Sequence, residues 1–271
     1  MTGVLRAWVD PPRPPGAPPV EAEPRCRRLL VIELWVVFGI TLGLSGLRSA
    51  LSLAQSLLRP GPLSGQRVAL NAPAAVNQYI DLGLQLAFAA QLVGWAALGL
   101  YLLARSDIPP RAVGLDRARP GSDAMLALGL AALIGVPGLA LYLGAHALGL
   151  AVTVQPSTLS DTWWRLPVLV VSAAANAGAE EVLLTGYLMT QARRLGAGEN
   201  RALACSAIIR GSYHLYQGAS GGLGNLVMGL VFGRVWQRRG RLWPLIGAHA
   251  LLDVVAFVGY AQLAGHASWL P

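Results

Sequence analysis

The chain has 271 residues, 54% of them hydrophobic and 13% charged, with a mean hydropathy of +0.51. An ordinary soluble domain carries about 25% charged residues, so that class is excluded, and several apolar runs of about 20 residues indicate a polytopic membrane protein, an all-α bundle. The net charge of +8 would suggest nucleic acid in a soluble chain. Here every basic residue is an arginine and the arginines flank apolar runs, which speaks for topology and anionic headgroups, with no nucleic-acid partner.

Residues 1–28 are rich in proline, with PPRPPGAPP from Pro11 to Pro19, and read as a disordered cytosolic tail. Residues 29–165 read as N-terminal membrane helices and loops, and residues 166–271 as a membrane core that carries charged residues within its apolar runs. About seven spans are expected. The first covers Leu29 to Leu47, with Glu33 near its cytosolic end and within reach of the interface. A linker to Tyr79 follows, with room for another short membrane segment. The second span runs from Ile80 to Ala104, and the third, Ser122 to Leu148, contains Pro137 and should kink there. The fourth is Leu166 to Ala192, the fifth Ala202 to Gln217, the sixth Gly222 to Gln237 and the seventh Leu242 to Leu263. A cytosolic N-terminus and an outside C-terminus place each arginine cluster inside. Gly222, Gly229 and Gly233 share one face of the sixth span and read as packing positions, with Asn225 beside them. Trp163, Trp164, Trp243 and Trp269 fit interfacial belts. Cys26 and Cys205 have no metal-knuckle spacing and read as free thiols.

The fourth span carries two adjacent carboxylates, Glu180 and Glu181. A charge at the centre of a membrane helix costs about 2.5–3.5 kcal/mol on insertion scales, so it rarely sits there without a partner or a purpose. Arg210 and His214 lie four apart on the fifth span, His249 and Asp253 four apart on the seventh, so each pair shares a helix face. Counted from the cytosolic ends, Glu180, His214 and Asp253 lie about 16–20 Å deep and His249 about 10 Å, in a hydrocarbon core of about 30 Å. The expectation is one buried polar site. On an α-helix Glu180 and Glu181 point about 100° apart, so one should face the site while the other anchors a neighbouring helix or a backbone donor.

The residues Glu180-Glu181-Val-Leu-Leu-Thr185-Gly186, Arg210-Gly-Ser-Tyr-His214 and His249-Ala-Leu-Leu-Asp253 resemble the CPBP family of intramembrane proteases. That family includes the eukaryotic CAAX prenyl endopeptidases and the bacterial Abi proteins. The resemblance covers about Leu166 to Leu263. It departs at Thr185, where the family usually has arginine, and at Arg210, where it usually has phenylalanine. Read together, a cation lost from one helix is regained on another, one turn from His214.

The resemblance implies an endopeptidase of the bacterial plasma membrane acting on a membrane-associated protein or peptide. Glu180 with His214 would activate a water, and His249 with Asp253 would stabilise the oxyanion, with Glu181, Arg210 and Asn225 in support. The family has been described both as metalloproteases and as glutamate proteases, and Glu180, His214 and His249 are the residues that would hold Zn²⁺. Two other functions stay open. A non-catalytic module could bind a partner or a lipidated peptide in the same cavity, and buried Glu and His also build the relays of proton-coupled transporters.

Overall fold

The computed structural model describes residues 8–263 other than 10 and 15. Eight helices are present among these residues: α1 (Pro24–Ile40), α2 (Leu42–Leu58), α3 (Gln78–Ala104), α4 (Pro120–Ala147), α5 (Arg165–Arg194), α6 (Glu199–Ser212), α7 (Ala219–Arg239) and α8 (Trp243–Leu263). Four of them (α3, α4, α5 and α8) are individually long and apolar enough to cross a membrane, and the bent pair α1 and α2 passes the same test together. At a rise of about 1.5 Å per residue, the 14 residues of α6 reach only about 21 Å, short of the hydrocarbon thickness.

The expected first span is a broken one. Its helix starts at Pro24, stops at Thr41 and resumes at an angle of 49°. The Thr41 hydroxyl donates to the Val37 carbonyl at 2.6 Å, the kind of back-bonding that bends a helix. Gly43 sits where a Cβ would come within 2.5 Å of the Phe38 carbonyl oxygen. The linker that follows is tied down by three-residue strands, β1 (Arg67–Ala69) and β2 (Thr153–Gln155). They pair in parallel with Arg67 opposite Thr153 and Ala69 opposite Gln155.

Helix α5 is the centre of the bundle. Of its most apolar window 67% is buried, against 17–28% for α3, α4 and α8, and it packs on α3, α6 and α8. Leu183, Leu184, Tyr187 and Met189 are fully buried. The outer helices turn Leu86, Phe88, Val93, Leu133 and Val136 outward, an apolar surface suited to lipid. Helices α6 and α7 approach closely because α7 carries glycine at the contacts. A Cβ on Gly229 would meet the Ala207 Cα at 2.9 Å and the Arg210 Cδ at 3.2 Å, so the packing reading of this stripe holds there.

The arginine-bearing loops gather at one end of the bundle. Arg194 donates to Ser106 at 2.8 Å, and Arg241 meets Asp116 at 2.6 Å and Asp123 at 2.5 Å. Residues of the proline-rich segment lie against the same end: the Glu21 N–H donates to the Arg194 carbonyl at 2.8 Å and Arg27 donates to the Leu195 carbonyl at 3.0 Å. Glu33, half-buried on α1, accepts from the Tyr187 hydroxyl at 2.7 Å and from Gln191 at 3.2 Å, both on α5. Trp163 and Trp243 are exposed, but Trp164 is buried beside Leu169 and Phe257. Trp269 and the expected outside C-terminus lie outside the described residues. Cys26 and Cys205 are both free.

Candidate active site

The site forms where α5 changes its winding. The helix is α-helical to Glu180 and wound with i→i+5 bonding from Glu181 to Leu188. Such wide turns are rare and often mark functional positions. The Leu184 carbonyl, inside the wide stretch, is met by the Ser206 hydroxyl of α6 at 3.0 Å. The junction falls between the two glutamates, whose own backbone angles stay α-helical.

Both reach one cation. Arg210 of α6, fully buried, donates to Glu180 Oε2 at 3.3 Å and to Glu181 Oε1 at 2.6 Å. Glu181 thereby anchors two neighbouring helices, through Arg210 and His249, the role expected of one member of the pair, and the two nitrogens of the guanidinium fork span the separation of the carboxylates. The same bond supplies the cation that Thr185 does not. Thr185 instead donates its hydroxyl to Glu181 Oε2 at 3.1 Å.

The two carboxylates differ atom by atom. Glu181 has both oxygens engaged, because Oε1 also meets His249 Nδ1 at 2.9 Å. A carboxylate only accepts, so His249 donates there. Glu180 concentrates its contacts on Oε2, which accepts from Arg210 and from the Tyr213 hydroxyl. Oε1 of Glu180 has no hydrogen-bond partner among the described residues and is not sealed from solvent.

His249 Nε2 lies 3.9 Å from Glu180 Oε2 and 3.7 Å from Asp253 Oδ2. Both spacings exceed a hydrogen bond, and a water about 2.8 Å from each partner could bridge either one. Asp253 accepts from Asn176 Nδ2 of α5 at 3.0 Å. With three carboxylates around it, the imidazole of His249 has an acceptor toward each nitrogen.

His214 lies just past the C-terminus of α6, where the chain leaves the helix at Tyr213. Its Nδ1 is 3.0 Å from the Arg210 carbonyl. That oxygen only accepts, so Nδ1 carries the proton and Nε2 of the neutral ring is an acceptor. Among the described residues no hydrogen bond or ion pair joins His214 to Glu180. The ring of Tyr213, 4.6 Å away centroid to centroid, fills the space beside it. Asn225 turns its amide to the Gly221 carbonyl of its own helix at 3.1 Å and is not joined to the cluster by a hydrogen bond.

Glu180, His214 and His249 do not converge as a ligand set for a divalent ion. The Nδ1 atoms of both histidines face protein acceptors, which leaves each Nε2 available, but Glu180 Oε2 is held by Arg210 and Tyr213. Among the described residues no three of His, Cys, Asp and Glu are grouped closely enough to hold one ion. A guanidinium that is always charged and bonds both glutamates also sets like charge against a metal dication there.

One participant, Asn176, lies outside the three motifs read from the sequence. It sits four residues before Glu180, on the same face of α5. An amide inside an apolar run, one turn from an acid, is the signal that marks it.

Residues 162–255 match the family model described as type II CAAX prenyl endopeptidase, Rce1-like. The match takes in Glu180, Glu181, Arg210, His214, His249 and Asp253, and over this segment the chain is similar to that protease family. No curated protein and no solved structure matches the chain significantly.

Proposed function

We propose that this chain is an intramembrane endopeptidase of a bacterial plasma membrane, cleaving a membrane-associated protein or peptide with a glutamate-activated water. The observation that carries the reading is the asymmetry of the glutamate pair. Glu181 is fully engaged in holding Arg210, His249 and Thr185, while Glu180 keeps one oxygen without a protein partner.

In the proposed reaction Glu180 Oε1 takes a proton from a water that also donates to His214 Nε2. The resulting hydroxyl forms a C–O bond to the scissile carbonyl carbon, and the carbonyl π electrons move onto its oxygen. His249 Nε2–H donates to that oxygen. Collapse of the intermediate breaks the C–N bond, and the proton held by Glu180 passes to the leaving amine. Arg210 offsets the charge of the glutamate pair throughout, and no metal ion is required. Clustering of an acid, two imidazoles and a guanidinium from three helices in an apolar bundle supports this assignment.

A second reading has its own support: Arg210 and Tyr213 both occupy Oε2 of Glu180, as a purely structural cluster would have it. The chain would then bind a partner or lipidated peptide without cleaving it. The test is the purified protein incubated with a library of membrane peptides, products being read by mass spectrometry with and without chelator. Cleavage that persists in chelator is expected. Binding without cleavage would favour the module, and a flux that follows the proton gradient would favour a transporter.

A further inference from the structure

We infer that Asn176 is a catalytic residue that donates an amide hydrogen bond to the developing oxyanion; this rests on the peptidase reading above. Adding hydroxide to a peptide carbonyl places a negative charge on the carbonyl oxygen, and that charge is stabilised by hydrogen-bond donors already in place. The site is short of them. Glu180, Glu181 and ionised Asp253 only accept, and Arg210 is turned to the two glutamates. His249 Nε2 is one donor, and a single donor is a weak oxyanion site.

Asn176 supplies the second. It lies one turn before Glu180 on α5, half-buried, with Nδ2 at 3.0 Å from Asp253 Oδ2. The same oxygen is 3.7 Å from His249 Nε2. Two nitrogens, one from α5 and one from α8, thus flank a single negatively charged oxygen. An oxyanion needs the same disposition of donors. Because a carboxylate cannot donate, Asp253 also decides which way the amide of Asn176 faces: nitrogen toward the site. One N–H is held by Asp253, and the second has no partner among the described residues. Asp253 therefore orients both donors, and Asn176 and His249 deliver them. The charge that moves onto the oxygen in the addition step is met by Nε2–H of His249 and the second Nδ2–H of Asn176. Both protons stay on their nitrogens.

The test uses the full chain in detergent on a reporter peptide that the wild type cleaves. Asn176→Leu keeps the branched outline of the side chain and removes the donor, and should lower kcat by about 10²–10³-fold, the usual cost of one oxyanion donor, with KM within twofold. Asn176→Asp, which also lacks a donor when ionised, should do the same and serves if the leucine variant does not fold. Adding Asp253→Asn to Asn176→Leu returns an amide to this place from α8 and should raise kcat at least tenfold over the single variant. A merely structural role for Asn176 gives no such rescue. Wild-type kcat in Asn176→Leu, or a folded double variant with no recovery, would overturn this inference alone. Absence of cleavage by the wild-type chain would overturn the peptidase reading and this inference with it.

Discussion

Arg210 and Glu181 meet at 2.6 Å with neither side chain exposed. They come from different helices, and each would be an uncompensated buried charge without the other. Removing one partner of such a pair costs about 3–5 kcal/mol. Arg210→Ala should therefore abolish activity and sharply lower the melting temperature in detergent. Thr185, whose hydroxyl already touches Glu181 Oε2, is the place from which a cation could be returned. The double variant Arg210→Ala, Thr185→Arg should recover part of the lost melting temperature. A single variant that keeps wild-type stability and activity would show that the two carboxylates do not need the cation.

Tyr213 donates to the same oxygen of Glu180 that Arg210 holds, leaving the other oxygen to the substrate side. A hydrogen bond to a charged group is worth about 1.5–3 kcal/mol. Tyr213→Phe keeps the ring, so its packing beside His214 should survive. The expected result is a kcat lowered about tenfold or more at unchanged KM, with a melting temperature several degrees below that of the wild type. Equal kcat values would show that Oε2 of Glu180 needs no anchoring by this hydroxyl.

Outside the membrane segments, Arg241 links the loop at Asp116 to the start of α4 at Asp123. Its hydrogen bond, helped by the Ala118 backbone N–H, holds the Asp116 carboxyl below its ordinary value. A carboxyl whose folded value lies below its unfolded one stabilises the fold above the unfolded value, about pH 4, and this contribution fades as pH falls through the folded value. Melting curves of wild type and Arg241→Ala should therefore differ at neutral pH and converge in acid. The gap should also narrow with added salt. A gap independent of both would contradict the ion-pair account.

How much of this was legible follows from the range of each interaction. The acids and imidazoles announced themselves, because charges in apolar runs are costly and four-residue spacing puts them on one helix face. Arg210 could be tied to the glutamates for the same reason. The shared contact of Glu180 and Glu181 with one guanidinium could not, since it depends on where α6 sets Arg210 against α5. Local propensity does not encode that. The break at Thr41 escaped because a threonine within an apolar run is compatible with a continuous helix until its hydroxyl captures a carbonyl. Strands of three residues leave no readable period, so β1 and β2 passed as loop. Asn225 lay at a suggestive position, but its amide found an acceptor on its own helix. The depth of Glu33 in its run does not tell that it faces Tyr187 and Gln191.

The central claim is that the two adjacent glutamates have different work, one chemical and one architectural. Glu180→Gln and Glu181→Gln, purified side by side and assayed on a cleaved peptide with parallel melting curves, test it most directly. The account predicts that Glu180→Gln folds like the wild type and loses cleavage by several orders of magnitude, whereas Glu181→Gln loses melting temperature as well. A Glu180→Gln variant that cleaves at the wild-type rate would contradict it.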